Sequence, residues 1–382
     1  GEISRVIRQY PVRQELLYVG TETGIYVSLD EGDSWFCLRC NLPVVPVYDL
    51  RIKDDDLVAA THGRSFWILD DLTPLRQLSE DVVDASAHLF PPCPSYRRWL
   101  QWGVGIHRGP GKCYMLALGA AGTFYEQESQ EGEAGLRGLD VGENPPQGVI
   151  VYYSLGIVPA ESITLFFLDA QGILIKAISS QEKKGECFLP ANVGLNRFVW
   201  DMRYPNAEKV AEDLITEKME TGPLAAPGTY QVEIRVGDQT SSRSFEILKD
   251  PRVSATQEEL DAQFALWSRI RDKLSETHGH INQLRKISAQ LKEWEERLEG
   301  FSSSESSQLV GKAARDLREK LAAVEQELVQ VDAETAADWL RFPARLNYKL
   351  AALISVVSSA DAAPPQQAYD VFEHLCERLD AQ

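Results

Sequence analysis

The residues whose types and spacing most invite a chemical reading are His62, Arg64 and Trp67, in the run Thr61-His62-Gly63-Arg64-Ser65-Phe66-Trp67. An imidazole beside a fixed cation and an indole is the one constellation worth following. The competing reading, that these side chains lock an element to its neighbours, is preferred. Trp99 and Trp102, with His107, invite a second reading as a sugar platform, because aromatic faces stack on pyranose rings; sealing a junction between domains is preferred there too. Glycosidases need two placed carboxylates. Asp70 and Asp71 are adjacent, so in an extended strand they point to opposite sides, and Asp54-Asp55-Asp56 reads as a solvated turn. The sequence has no Gly-x-Ser-x-Gly, no Walker A loop and no dinucleotide fingerprint. No catalytic residue is assigned.

Metal chemistry fares no better. Cys37-x-x-Cys40 lacks the second pair or the histidines that a zinc ribbon needs. Glu276 with His278 and His280, and Glu373 with His374, lack the Glu-x-x-His spacing of di-iron bundles. His278 and His280 lie about 200° apart around a helix, and are read as solvated or core-edge residues. No metal and no cofactor is expected. A disulfide between Cys93 and Cys113, or between Cys37 and Cys40, stays open at this level.

The formal net charge of −18 argues against a nucleic-acid partner, since phosphate binding needs clustered Lys and Arg. No run of about 20 apolar residues exists, so no transmembrane helix is expected. The chain starts Gly1-Glu2-Ile3 with neither an initiator Met nor a signal-peptide core, which reads as the middle of a longer polypeptide.

The elements that must position these residues begin with short alternating strands. Ile3–Arg8, Leu16–Thr21, Gly24–Leu29 and Trp35–Arg39 form one set; Val47–Ile52, Leu57–Thr61, Ser65–Leu69 and Leu75–Leu78 form another. Four strands repeated about every 40 residues is the pattern of propeller blades. Between the third and fourth strands of the first set, Ser28-Leu29-Asp30-Glu31-Gly32-Asp33-Ser34-Trp35 reads as a hairpin staple. Ser28 and Asp30 bond turn amides, Gly32 adopts a backbone that a Cβ would hinder, and Trp35 packs under the turn.

That octet matches the Asp-box, S/T-x-D-x-G-x-x-W. Together with Leu16–Ser28, Asn41-Leu42-Pro43 and Ala60–Asp71, it resembles the BNR (sortilin-like) bacterial β-propeller family. The resemblance implies the last two blades of a propeller over 1–84, with Asp30 structural and any catalytic pair on other blades. It also implies an exported protein, periplasmic, cell-surface or secreted. Two blades cannot close a ring, so the rest of the propeller would come from the same polypeptide or another chain.

Residues 85–145 read as a junction: a linker at His88–Pro94, strands within Tyr96–Trp102 and Lys112–Ala117, and an acidic flexible loop at Gln127–Arg137. Residues 146–250 read as an immunoglobulin- or fibronectin-like β-sandwich, with strands at Val149–Leu155, Ser162–Leu168, Leu174–Ser179, Asn196–Trp200, Gly228–Val236 and Ser241–Leu248, Trp200 in its core, and a partly helical insertion at Ala207–Lys218. Residues 255–382 switch to three- and four-residue spacing. This predicts an antiparallel helical bundle: one helix of roughly 40 residues, a turn at Ser302–Ser307, a second helix, a third from Pro343 and a fourth from Pro364-Pro365. The fold class expected is thus mainly β plus α: two four-stranded blades, a sandwich and a helical bundle. The function expected is a non-catalytic binding or assembly scaffold with a protein partner in a larger, membrane-associated complex. The alternative is the accessory part of a glycoside hydrolase whose carboxylates lie on upstream blades.

Overall fold

The computed structural model describes residues 2–98, 112–117, 120–128, 134–138, 146–159, 161–181, 189–217, 219–299 and 305–382. It combines antiparallel sheets with a helical C-terminal region. Two compact units emerge: Gly1–Tyr96 with Leu100–Asp201 and Gly228–Leu248, and Arg97–Trp99 with Met202–Pro227 and Lys249–Gln382.

The first unit opens with β1 (Ser4–Gln9), β2 (Leu17–Thr21), β3 (Ile25–Ser28) and β4 (Phe36–Cys37), hydrogen-bonded in chain order. A second sheet follows the same course through β5 (Val47–Lys53), β6 (Asp56–Thr61) and β7 (Phe66–Leu69). Each first strand carries a bulge at the same place, between Ser4 and Val6 in β1 and between Val47 and Asp49 in β5. The register is repeated too. Val6–Gly20–Ile25 forms a cross-strand row in one sheet and Asp49–Ala60–Phe66 in the other; Arg8–Tyr18–Val27 is matched by Arg51–Val58–Ile68.

A fourth strand at Leu75–Leu78 was expected; the chain forms a short helix instead, α1 (Thr73–Gln77). Asp71 at φ 56° turns it out of the sheet, its carboxylate accepts the Thr73 amide at 3.0 Å, and Pro74 opens the helix without losing a hydrogen bond. Arg13 then caps the C-terminal end of α1, donating to the carbonyls of Leu75, Arg76 and Leu78. A second short helix, α2 (Glu80–Asp84), is capped by Ser79.

The expected linker at His88–Pro94 is not one throughout. Strand β8 (Ala87–Leu89) runs into it, and β9 (Ser95–Arg97) follows it. Strands β10 (Lys112–Ala117), β11 (Ala120–Glu128) and β12 (Ala134–Gly138) pair in sequence order, so much of the expected acidic loop at 127–137 is strand. Six longer strands complete the unit: β13 (Val149–Leu155), β14 (Ile163–Leu168), β15 (Leu174–Ser179), β16 (Gly194–Trp200), β17 (Gly228–Val236) and β18 (Gln239–Lys249). They form two antiparallel sheets, ordered β16-β13-β8 and β15-β14-β17-β18-β9. Strict alternation of buried and half-buried residues in β13 and β14 gives each sheet one apolar face. The faces meet at fully buried Trp200, which stacks on Phe167 with ring centres 4.7 Å apart and meets Tyr230 and Phe245 edge-on.

The second unit is built on α3 (Gln257–Glu299), α4 (Glu305–Leu328), α5 (Leu346–Val357) and α6 (Gln366–Asp380), with a 3-10 turn at Ala336–Leu340. Thr256 and Glu259 exchange side-chain and backbone hydrogen bonds at the start of α3, a capping box. Helices α3 and α4 run antiparallel, as their ion pairs require: Arg285 holds Glu325 at 2.6 Å and Arg318 holds Glu295 at 3.2 Å. Their shared core includes Leu266, Ile270, Leu274 and Ile281 from α3 with Leu350, Ile354 and Phe372. The partly helical stretch expected at Ala207–Lys218 has no helix among its described residues: 207–210 lack regular structure and 211–217 run mostly in turns. The bonds that shape it come from afar. Asn347 donates to Asp213 at 2.7 Å, Asn282 to the Lys209 carbonyl at 2.9 Å, and Trp267 to the Thr221 carbonyl at 3.0 Å. Among the described residues, no helix is long and apolar enough to cross a membrane.

Candidate functional site

The 28–35 turn closes on itself. Ser28 Oγ accepts the Gly32 amide at 2.8 Å and donates to Asp30 Oδ1 at 2.7 Å. Asp30 also accepts the Ser34 amide at 2.9 Å and the Ser34 hydroxyl, while Trp35 Nε1 donates to the Gly32 carbonyl at 3.0 Å. Gly32 sits at φ 101°, where a side chain would be strained. The Ser34 hydroxyl and amide, with Ser28, hold the Asp30 carboxyl down to about 2. Three of the bonds in the turn end on its carboxylate, so Asp30 serves as a staple.

The 61–67 turn has a related anchor: Trp67 Nε1 donates to the Arg64 carbonyl at 2.9 Å. It does not assemble the expected constellation. Trp67 packs against the core between the first two sheets, while Arg64 is exposed. His62 lies elsewhere, stacked on Tyr48 at 4.9 Å, and the Arg5 guanidinium covers the same Tyr48 ring at 4.2 Å. Sequence proximity put His62 beside Trp67; His62 lies in the turn before β7, and Trp67 within that strand turns inward. Trp99, Trp102 and His107 lie outside the described residues.

Carboxylates do gather at the far end of these sheets, but around other partners. Asp55 Oδ1 accepts from Tyr10 at 2.7 Å and from Arg76 at 2.8 Å, and Asp55 Oδ2 accepts from the Cys93 thiol at 3.4 Å. Asp56 accepts the Asp71 amide at 2.9 Å. Burial, reinforced by Asp56, lifts the Asp70 carboxyl above its ordinary value, with Arg197 pulling the other way. Burial also pushes the Cys93 thiol up to about 12, which leaves it a poor nucleophile. Cys37 and Cys40 are exposed free thiols, not a disulfide. Among the described residues, no three His, Cys, Asp or Glu side chains are arranged to hold a metal ion.

In the helical unit, a cleft of about 520 Å³ has Leu284, Ile287, Val324 and Leu328 along its floor. Its one lysine is already engaged: Lys273 donates to Asp380 at 2.5 Å and to Glu276 at 3.1 Å. Burial opposes the charge on Lys273, yet the two carboxylates outweigh it and hold the ammonium above its ordinary range. His280 is exposed at the rim, whereas His278 is fully buried, with Nδ1 2.5 Å from the Glu208 carbonyl. His278 is therefore interior, not solvated or at the core edge as expected.

The most developed surface lies on the first two sheets, and it comes from how they pack. One face of the first sheet, called here its front, carries Val6, Gly20, Ile25, Arg8, Tyr18 and Val27. It lies on the back of the second sheet, whose rows are Leu50–Ala59–Trp67 and Ile52–Leu57–Leu69. The approach is close at Gly20, where a Cβ would meet Val47 Cγ1 at 2.9 Å. Arg8 bridges the sheets, donating to the Leu50 carbonyl at 2.8 Å and to Asp49 at 2.5 Å. Front on back is a head-to-tail contact. On the front of the second sheet, Phe66 is 72% and Ile68 58% exposed, although their counterparts Ile25 and Val27 are 6% and 5% exposed. On the back of the first sheet, Ile7 is 54% exposed although its counterpart Leu50 is buried. The signal for these faces was present in the alternation of β6 and β7, but alternation does not tell whether a face is covered.

No family model, curated protein or solved structure matches the chain.

Proposed function

We propose that the chain is a non-catalytic binding or assembly scaffold of the Asp-box (BNR, sortilin-like) propeller kind. In this reading the first two sheets are successive blades. The sheets that meet at Trp200 are an immunoglobulin- or fibronectin-like sandwich acting as a spacer, and the antiparallel helices offer a docking surface in an exported, membrane-associated complex. The observation that carries the reading is the head-to-tail packing of the first two sheets. It buries Ile25 and Val27 and leaves Phe66 and Ile68, their counterparts in the repeat, in solvent. Large exposed apolar side chains in two adjacent rows mark a surface that awaits a partner. The dispersal of His62, Arg64 and Trp67, and the occupied acceptors of Asp30 and Asp55, favour a scaffold over an active site.

The test is a photo-crosslinking amino acid at position 66, introduced into the protein in its native host. Crosslinks to another sheet-forming segment, in the same polypeptide or a second one, are expected, together with no glycan hydrolysis by the isolated assembly. A native protein that runs as a solitary chain and yields no crosslink from position 66 overturns the scaffold. Release of reducing sugars by the assembly would instead favour the hydrolase.

A further inference from the structure

Two rows of aliphatic side chains run along one side of the α3–α4 hairpin. Leu284, Ile287 and Leu291 are spaced by three and four residues and share a face of α3. Leu328, Val324 and Leu321 do the same on α4. The ion pairs Arg285–Glu325 and Arg318–Glu295 hold the helices side by side, and Leu284, Ile287, Val324 and Leu328 meet in the cleft of about 520 Å³. That volume falls among those of small-molecule sites. Leu328 reaches the core, but the other five side chains stay half-buried, so an apolar occupant would still remove area from water. The floor is aliphatic. His280 is the one ring among the described lining residues, and it is exposed at the rim. Such a floor suits a flexible alkyl chain, since a flat aromatic ligand would find no ring on it to stack against.

One end of the cleft is polar, and its polarity has a sign. Lys273 donates to Asp380 at 2.5 Å and to Glu276 at 3.1 Å, so one ammonium lies between two carboxylates. The lysine side chain is 15% exposed, while Glu276 and Asp380 are 51% and 64% exposed. A group arriving from solvent therefore meets carboxylate oxygens first, with one negative charge in excess. Thr277 adds no donor for an anion, because its hydroxyl is given to the Lys273 carbonyl at 2.8 Å. The span from Glu276 to Ile287 is about 16 Å at the rise of an α-helix, about the depth of hydrocarbon in one bilayer leaflet.

We infer that this cleft binds a single-chain amphiphile with a cationic head, of the chemical class of a long-chain amine. The alkyl chain lies along Leu284, Ile287, Val324 and Leu328, and the ammonium sits at Glu276 and Asp380. A fatty acid or an alkyl phosphate carries the wrong head. Its anion would face two carboxylates whose shared ammonium is already bonded to both. The inference concerns the helical unit alone and does not rest on reading the first two sheets as blades.

The experiment is a calorimetric titration of the 382-residue chain at pH 8. The probe is dodecyltrimethylammonium below its micelle threshold, compared with dodecylphosphocholine and dodecanoate, which share its tail. The ammonium is expected to bind one to one and about tenfold or more tighter than either, because like charges brought together cost binding. The decyl homologue, shorter by two methylenes, is expected to bind about tenfold more weakly. E276Q with D380N changes two exposed positions and leaves Lys273 as the only charge of the three. That variant is expected to lose about tenfold or more for the ammonium and to admit dodecanoate. I287E sets a charge on the floor and is expected to abolish binding of all three probes, with its fold checked by circular dichroism. If I287E does not fold, the order of head groups in wild type and its reversal in the double variant decide alone. No binding of the ammonium, equal affinity for the three heads, an unchanged order in the double variant, or full binding by a folded I287E each overturns the inference.

Discussion

Arg97 and Asp361 form a buried ion pair inside the second unit, with Nη2 at 2.8 Å and Nε at 3.2 Å from the same carboxylate oxygen and side chains only 2% and 5% exposed. The remaining donors of Arg97 are spent on Gln263 at 2.6 Å and on the carbonyl of Ala225 at 3.2 Å. Gln263 in turn donates to the carbonyl of Val357 at 2.8 Å. A buried pair adds little over an apolar replacement, but removing one partner strands a charge away from water. R97M alone and D361N alone are each expected to lose about 3–5 kcal/mol in urea unfolding followed by helical circular dichroism. R97M with D361L is expected to recover most of that loss. A loss in the paired variant equal to the sum of the two single losses would mean that the two residues are not coupled.

Gly20 marks a tight point between the first two sheets. A Cβ there would lie 2.8 Å from Val6 Cγ1 and 3.0 Å from the Val47 carbonyl oxygen. The backbone oxygen cannot swing aside as a side chain would, so the sheets must part. G20A is expected to cost about 1–3 kcal/mol, the range for overpacking. G24A provides the control in the same hairpin: its Cβ would meet nothing within 4 Å, so any loss there comes from its φ of 153° alone. Losses of equal size would show that crowding between the sheets is not what Gly20 avoids.

What could be read from sequence follows from how local each cause is. Strands β13, β15 and β17 have the expected bounds; β13 and β17 bury alternate residues, whereas in β15 a register shift opposite Phe167 and Leu168 buries Ile175 and Ile178, three apart. Helix α3 was legible from its apolar spacing, and the 28–35 turn from its residue types, since the bonds of Ser28, Asp30 and Trp35 that staple it are made within it. Helix α1 was misread as a strand although Leu75 and Leu78, three apart, would fall on opposite faces of one; Asp71 sets the direction by its left-handed backbone. The 207–218 segment was misread for the opposite reason: its sequence suits a helix, but Asn347, Asn282 and Trp267 draw its neighbourhood into turns from far along the chain. His62 and Trp67 were joined on paper by a short interval. Trp67 lies in a strand that turns it inward, and His62 precedes that strand.

The acid response of the first sheet has a definite sign. The Asp30 carboxyl falls from an ordinary 3.8 to about 2 in the folded chain, through the Ser34 hydroxyl and amide and then Ser28. A depressed carboxyl stabilises the folded form above its unfolded value, and that contribution disappears as pH falls through the folded one. The turn is therefore expected to loosen between about pH 4 and pH 2. Carbon NMR of the Asp30 carboxyl should titrate near 2, and the Ser34 amide signal should move with it. D30N keeps an acceptor but no titration, so its Ser34 amide should be unresponsive across that window. An Asp30 carboxyl that titrates near 4 would show that the staple is not formed in solution.

The cysteines should separate by environment. Cys37 and Cys40 are exposed, whereas Cys93 is half-buried, pushed up to about 12 by burial, and lies against Thr73 and Asp55. Attack on a disulfide reagent requires the thiolate, so at pH 8 Cys93 is silenced twice over, by access and by protonation. Labelling with an aromatic disulfide at pH 8, with sites identified by mass spectrometry, is expected to modify Cys37 and Cys40 at least about 100-fold faster than Cys93. D55N tests the local cause. It removes the carboxylate that accepts from Tyr10, Arg76 and Cys93 together, so the contacts around the thiol loosen and its labelling should accelerate. Labelling of Cys93 as fast as Cys37 in the folded wild type would place that thiol in solvent and dissolve the cluster around Asp55.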